Sequence, residues 1–194
     1  MNRLIDSLYA IVDTEVADHP LELAFKALNA GCAMVQLRAK QLDDVAFLKI
    51  AQRVRSACAH AEVPFVINDR ADIACLVRAD GLHLGQDDLS IEDARRVVGD
   101  MPIGVSTHNL GQAARADAEG ADLIAFGPVF ETKTKENPEP AVGLQALARV
   151  CHKVSRPVVA IGGITPENAD ETLRAGARYV AAISALPRFL AGPS

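Results

Sequence analysis

Apolar residues along this chain of 194 gather in short runs, and most of the runs lack polar alternation. Four segments share one pattern: ALNAGCAMVQLR, LVRADGLHLG, ADAEGADLIAFG and LRAGARYVAAIS. Each closes a helical stretch with Gly or Asp-Gly and then enters an apolar run. Glycine after a helix suits the left-handed C-cap conformation. A short, unalternating apolar run suits a strand buried on both faces, as in a parallel sheet. The rhythm predicts strands at 8–12, 34–37, 65–68, 81–84, 103–106, 123–126, 158–161 and 179–183, with helical patterns between them. LDDVAFLKIAQRVRSACAHA places Val45, Leu48, Ile50, Ala51, Val54 and Ala57 on one helical face. SIEDARRVV sets Ser90 three residues before Asp93, a variant of the capping box. TPENADETLRAG predicts Thr165 as N-cap, Pro166 at the first helical position and Gly176 as the stop.

Eight strands alternating with helices predict an α/β fold, a minimal (β/α)8 TIM barrel occupying 1–194 as one domain. The alternative is an open doubly wound sheet, although no GxGxxG follows the first strand. Hydrophobic residues at 49% and charged residues at 23% describe an ordinary globular balance. A net charge of −5 gives no general attraction to nucleic acid or anionic lipid. No apolar run reaches bilayer length, and the start MNRLIDSLYAIVD lacks a signal-peptide pattern, so the expectation is a cytoplasmic protein. The cysteines, Cys32, Cys58, Cys75 and Cys151, are scattered without a CxxC pair and read as reduced small hydrophobes. The oligomeric state stays open, a homo-oligomer included.

In such barrels the chemistry sits at the C-terminal ends of the strands. After strand 2, Gln36, Arg38 and Lys40 alternate along an extended segment and share one face. Two cations at a barrel mouth read as an anion clamp, or as a strand end salt-bridged to Asp43 or Asp44. After strand 3 come Asn68, Asp69 and Arg70. After strand 4 come His83, Gln86, Asp87 and Asp88. Asp69 and Asp88, from adjacent strand ends, have the chemistry to hold Mg²⁺ against a diphosphate. The alternative is capping, with Asp69 on the helix containing Ile73 and Asp88 opening a turn before Ser90. Asp87 is expected to point away from Asp88. Strand 5 ends at Ser106, which faces the mouth, with Asn109 placed to cap the next helix and His108 open to an acid–base or a structural role.

The stretch 128–142, with FETKTKENPEP inside it, is long for a compact domain and reads as a lid or as a charged surface loop. Its Thr132, Lys133, Thr134 and Lys135 add hydroxyls and positive charge. After strand 7, the glycines of IGGITPEN stand between a strand and a helix start, where backbone N–H groups and the helix dipole favour phosphate. With Ile183 and Ser184 after strand 8, they read as the phosphate site that recurs in this barrel, or as purely structural glycines. The residues thus describe a phosphate cradle on one side of the mouth and a cationic site with two carboxylates on the other. No Ser-His-Asp or Cys-His pairing accompanies them.

Taken in order, VQLRAK, INDRADIA, ADGLHLGQDDL, GVSTHN, FGPVFETKTK, VGL and AIGGITPENA resemble the thiamine-phosphate synthase family over almost the whole chain. The resemblance implies a transferase that joins a hydroxymethylpyrimidine diphosphate to a thiazole phosphate, releasing pyrophosphate with Mg²⁺, by a dissociative route. It implies that Gln36, Arg38, Lys40, Asn68, Ser106 and Lys135 hold the pyrimidine diphosphate, with Arg38, Lys40, Ser106 and Lys135 serving the reaction. It assigns Asp69 and Asp88 to the metal, and Thr132, Thr134, Gly163, Ile183 and Ser184 to the thiazole phosphate. Its partners are small molecules. Two departures stand out: Ala39 lies between Arg38 and Lys40 where relatives often carry an acid, and relatives commonly run on past the residue equivalent to Ser194. The rival readings are a thiazole tautomerase, with His108 as base and no need of the diphosphate clamp, and a non-catalytic phosphate-binding barrel.

Overall fold

Parallel strands need cover on both faces, and this chain supplies it by following every strand with a helix. The structure is a computed structural model and describes residues 4–132 and 140–191. Strands β1 (Leu8–Asp13), β2 (Met34–Arg38), β3 (Phe65–Asn68), β4 (Gly81–Leu84), β5 (Ile103–Thr107), β6 (Leu123–Phe126), β7 (Val158–Ala160) and β8 (Tyr179–Ala182) pair in chain order and close into a parallel barrel. Helices α1 (Pro20–Ala30), α2 (Asp44–Ala61), α3 (Ala71–Val77), α4 (Ile91–Val98), α5 (Leu110–Ala118), α6 (Gly143–Lys153), α7 (Ala169–Arg174) and α8 (Leu186–Leu190) alternate with them. Among the described residues, no helix is long and apolar enough to cross a membrane.

The period of two along each strand sorts side chains into two layers. Leu8, Ala10 and Val12 of β1 join Leu37, Phe65, Ile67, Leu82 and Ile124 in the large cluster between sheet and helices. Tyr9 and Ile11 point the other way and meet Val66, Ala125, Val159 and Ala181 inside the barrel. Burying a Leu, Ile or Phe fully is worth roughly 1.5–3 kcal/mol, so the outer layer carries most of the stability. Toward the C-terminal ends of the strands the interior turns polar, with Gln36, Asn68 and His83 all buried. Those polar inward positions mark where a folded core gives way to a site.

The expected caps at Ser90 and Asn109 form: their side-chain oxygens accept from the backbone N–H of Asp93 and Gln112. The seventh helix departs from expectation. It begins at Ala169 with Asn168 as N-cap, rather than at Pro166 after Thr165. The residues between fold into a turn in which Asn168 Oδ1 accepts from the Thr165 N–H at 2.8 Å. Short as it is, α8 seats Leu186 and Phe189 in the core, against the side of the barrel that also carries α1.

Candidate active site

Parallel register decides which residues meet at the mouth. β1 and β2 pair with Asp13 opposite Arg38, and the buried Asp13 carboxylate accepts from Arg38 Nη1. Asp13 also accepts from the Glu15 N–H at 2.9 Å, so its own position is fixed. The Arg38 guanidinium is therefore held by Asp13, with Glu15 at 3.8 Å, and not by Asp43 or Asp44. Asp43 instead caps α2, and Asp44 pairs with Arg70 at 2.7 Å. Lys40 Nζ reaches Asp69 at 3.4 Å. Gln36 does not share an open face with these cations: it is 2% exposed and donates from Nε2 to Tyr9 Oη at 2.7 Å. Burial pushes the Tyr9 hydroxyl far above its ordinary pKa, so it stays protonated.

Asp69 does not cap α3, whose N-cap position is Arg70, with no side-chain capping bond to the helix. It takes a left-handed backbone with φ 62°, and its N–H donates to the His83 carbonyl at 2.8 Å. That turn brings its carboxylate against Asp88 from the next strand end. Burial first, then Asp88, push the Asp69 carboxyl up to about 6, while Lys40 pulls it back down. Asp88 is anchored by the Gly85 N–H, which donates to Oδ2 at 2.6 Å. Among the described residues, no group of three or more His, Cys, Asp and Glu gathers to hold a metal. Two adjoining carboxylates remain, a donor set that suits Mg²⁺, which takes one or two carboxylates and completes its shell with water and phosphate oxygens.

Beside this pair a half-buried contact supports Ser106. His83 Nε2 lies 2.9 Å from Ser106 Oγ in a hydrogen bond. Room for the imidazole comes from Gly104, opposite His83 in the ladder: a Cβ there would stand 2.6 Å from His83 Nδ1. Gln86 Nε2 donates to the Ser106 carbonyl at 2.7 Å. Sequence reasoning quoted His83 but gave it no role. It also passed over Asp13, although a polar residue ending the apolar run LYAIVD was a visible signal.

The other half of the mouth is a cavity of about 560 Å³. Ser106, His108, Thr132, Gly163, Ile183 and Ser184 line it, together with Asp87, Glu131, Thr165 and Arg188. Backbone shapes this side. The Val129 and Phe130 N–H groups donate to the Ile161 and Gly162 carbonyls at 2.9 and 3.0 Å, zipping the loop after β6 onto the loop after β7. Gly163 has φ 66°, and a Cβ there would stand 2.5 Å from the Glu131 carbonyl oxygen, so only glycine fits without a shift. Asn168 Nδ2 donates to the Gly163 carbonyl at 2.9 Å and fixes the loop from behind. Because α7 starts at Ala169, the glycines lie in a loop and not at a helix start, so the expected helix dipole does not act on them. His108 Nδ1 donates to the Gly127 carbonyl at 2.6 Å, which fixes the orientation of the ring at the cavity wall. Thr134 and Lys135, with the rest of 133–139 in the expected lid, lie outside the described residues.

A smaller hollow of about 210 Å³, lined by Asp6, Ser7, Leu173, Ala177 and Arg178, lies among residues that precede strands rather than follow them. It shares no residue with either half of the mouth.

A family model described as thiamine monophosphate synthase matches residues 8–186. The chain is 44% identical over 183 residues to the thiamine-phosphate synthase of Methanocella arvoryzae, covering 92% of this chain and 86% of that protein. It is 37% identical over 190 residues to the thiamine-phosphate synthase of Bacillus velezensis, covering 96% and 85%. Among solved structures, a thiamine phosphate pyrophosphorylase from Pyrococcus furiosus superposes with a TM-score of 0.85 at 30% identity, covering 98% of both chains. An N-acetylmannosamine-6-phosphate 2-epimerase from Clostridium perfringens shares the fold alone, at 14% identity and a TM-score of 0.72.

Proposed function

The chain belongs to the thiamine monophosphate synthase family, and from that premise we propose that it is a thiamine-phosphate synthase whose two half-sites each hold one phosphorylated substrate. The pyrimidine diphosphate lies against Arg38, Lys40, Asn68, Asp69, Asp88 and Ser106, with Lys135 contributing from the loop after β6. The thiazole phosphate lies in the cavity, against Thr132, Thr134, Gly163, Ile183 and Ser184. The observation that carries this reading is the pairing of two adjoining carboxylates with a held Arg–Lys clamp on one side and a glycine-shaped cavity on the other.

The bonds explain why the site needs no strong base. The C–O bond between the pyrimidine methylene and the diphosphate breaks, and pyrophosphate leaves with the electron pair. The thiazole nitrogen then uses its lone pair to form the C–N bond, giving a thiazolium. That nitrogen carries no proton, so none has to be removed. What the chain must supply is charge opposite the leaving group, position, and exclusion of water from an electron-poor carbon. Arg38, preset by Asp13, offers a fixed fork to phosphate oxygens. Ser106, steadied by His83, meets the pyrimidine edge. Asp69 and Asp88 fit Mg²⁺ because burial first, and the adjoining Asp88 carboxylate second, disfavour negative charge on Asp69, and a divalent cation would offset both. When bound there, Mg²⁺ neutralises charge on the diphosphate leaving group.

The test is to supply both substrates with Mg²⁺ and follow pyrophosphate. Release that requires both substrates, with thiamine phosphate formed one for one, is expected. Interconversion of thiazole tautomers without pyrophosphate release would show the tautomerase instead.

A further inference from the structure

The residues lining the cavity include Asp87 and Glu131, yet only one Lys or Arg among those described: Arg188. Among the described lining residues, the charges other than Arg188 are those of Asp87 and Glu131, which repel a phosphate monoester carrying up to two negative charges. Backbone dipoles at Gly162 and Gly163 offset part of that repulsion, but dipoles alone are a weak match for a dianion beside carboxylates. Arg188 stands on α8, one turn past Ser184 and two residues beyond the end of the family match, so that match gives it no role. Its Nη2 donates to Glu167 Oε1 at 2.7 Å, and both side chains are largely exposed, at 56% and 66%.

That bridge resembles a parking position. Exposed pairs of this kind hold weakly, and Glu167 is itself on the rim, in the turn between the Gly163 loop and α7. A planar guanidinium has five N–H donors in a fixed fork, and Glu167 engages one nitrogen of the three. The remaining donors stay available to a phosphate on the cavity side.

We propose that Arg188 is a specificity-determining residue of the second half-site: it reads the phosphate monoester of the acceptor substrate, and Glu167 holds it at the rim until that phosphate arrives. This rests on the synthase reading for the identity of the acceptor, but the ligand class, a small phosphate monoester, follows from the cavity and its charges. Arg188 thereby selects the phosphorylated thiazole over the corresponding alcohol, which would leave the guanidinium on Glu167.

Calorimetric titration of the full chain separates this from the synthase reading, because binding is measured without turnover. Thiazole phosphate and thiazole alcohol are titrated in turn into the wild type, Arg188→Ala, Arg188→Lys and Glu167→Gln proteins. Arg188→Ala is expected to weaken the phosphate by roughly 10- to 100-fold, the worth of a hydrogen bond to a charged group, while moving the alcohol by less than about 2-fold. Arg188→Lys keeps the charge and recovers part of the loss. Glu167→Gln tightens the phosphate by a few-fold, since the competing carboxylate is gone. Equal weakening of both ligands by Arg188→Ala, or no weakening of either, overturns the proposal. So does a wild type that binds phosphate and alcohol alike. Pyrophosphate release, measured separately, reports on the synthase reading and leaves the Arg188 result standing either way.

Discussion

In the proposed reading, the two halves of the barrel mouth solve one problem, holding phosphorylated molecules, by different means. On the β1–β5 side the charge is in side chains, and each is tied to another: Arg38 to Asp13, Lys40 to Asp69, Asp69 against Asp88, Ser106 to His83. On the β6–β8 side the site is mostly backbone, drawn close by glycines and a zipped pair of loops, with one arginine at the rim. The difference matches the two ligands proposed for these halves. A diphosphate that must depart needs strong, positioned charge that grows in effect as the bond breaks. A phosphate monoester that only anchors a substrate needs shape and a few donors. Preset ion pairs also lower the reorganisation needed when the leaving group develops charge, because the guanidinium is oriented before substrate arrives.

Four experiments probe that contrast, in falling order of expected effect. Asp88→Asn removes one of the paired carboxylates and should cut turnover by on the order of 10²-fold or more, with the affinity for thiazole phosphate little altered. Turnover near the wild-type rate would break the assignment of metal and diphosphate to the β1–β5 side. Gly163→Ala forces a Cβ toward the Glu131 carbonyl at a left-handed φ. It should raise KM for the thiazole phosphate by roughly 10-fold and leave KM for the pyrimidine diphosphate nearly unchanged, at a stability cost of about 1–3 kcal/mol. If both KM values rose together, the halves would not be separable.

The third probe is a double-mutant cycle on His83→Leu and Ser106→Ala. If His83 acts through Ser106, the double variant should lose no more turnover than the larger single loss, and His83→Gln, which can still reach Ser106, should recover part of it. Additive losses would assign His83 a separate task. The smallest effect concerns stability. The Asp69 carboxyl, at about 6 in the folded metal-free protein, lies above its unfolded value of about 3.9. The folded state therefore binds more protons between about pH 4 and pH 6, so stability falls as pH rises through that window and the full cost persists above it. Asp69→Asn should raise the metal-free Tm by a few degrees near neutral pH, with the gap closing by about pH 4. Thermal unfolding in EDTA across that range measures it, and a Tm gap independent of pH would contradict the cause given for the raised pKa.

How much of this was legible in the sequence depended on distance along the chain. The strands at Phe65–Asn68, Gly81–Leu84 and Leu123–Phe126 were read to the residue, because apolar runs and helix-stopping glycines are local signals. The other five strands differ by one residue, each at its C-terminal end: β1, β2 and β5 run on through the polar Asp13, Arg38 and Thr107, whereas β7 and β8 stop before Ile161 and Ile183. The start of α7 was misread because Thr165-Pro166 matches a helix N-terminus, while the Asn168 amide that folds 163–165 into a turn acts three to five residues away. The individual site residues were recognisable by type and place. Their pairings were not: Asp13 and Arg38 are 25 residues apart and become neighbours only through the parallel register of β1 and β2. Arg188 gave no signal, since its relation to the cavity depends on where α8 packs.

The most direct test of the division between the halves is calorimetry of each substrate alone, with Mg²⁺ and again with EDTA. The account predicts that the pyrimidine diphosphate loses affinity by 10-fold or more, as an order of magnitude, when the metal is removed, while the thiazole phosphate binds equally well in both. Equal affinity of the diphosphate with and without Mg²⁺, or a matching loss for the thiazole phosphate, would contradict it.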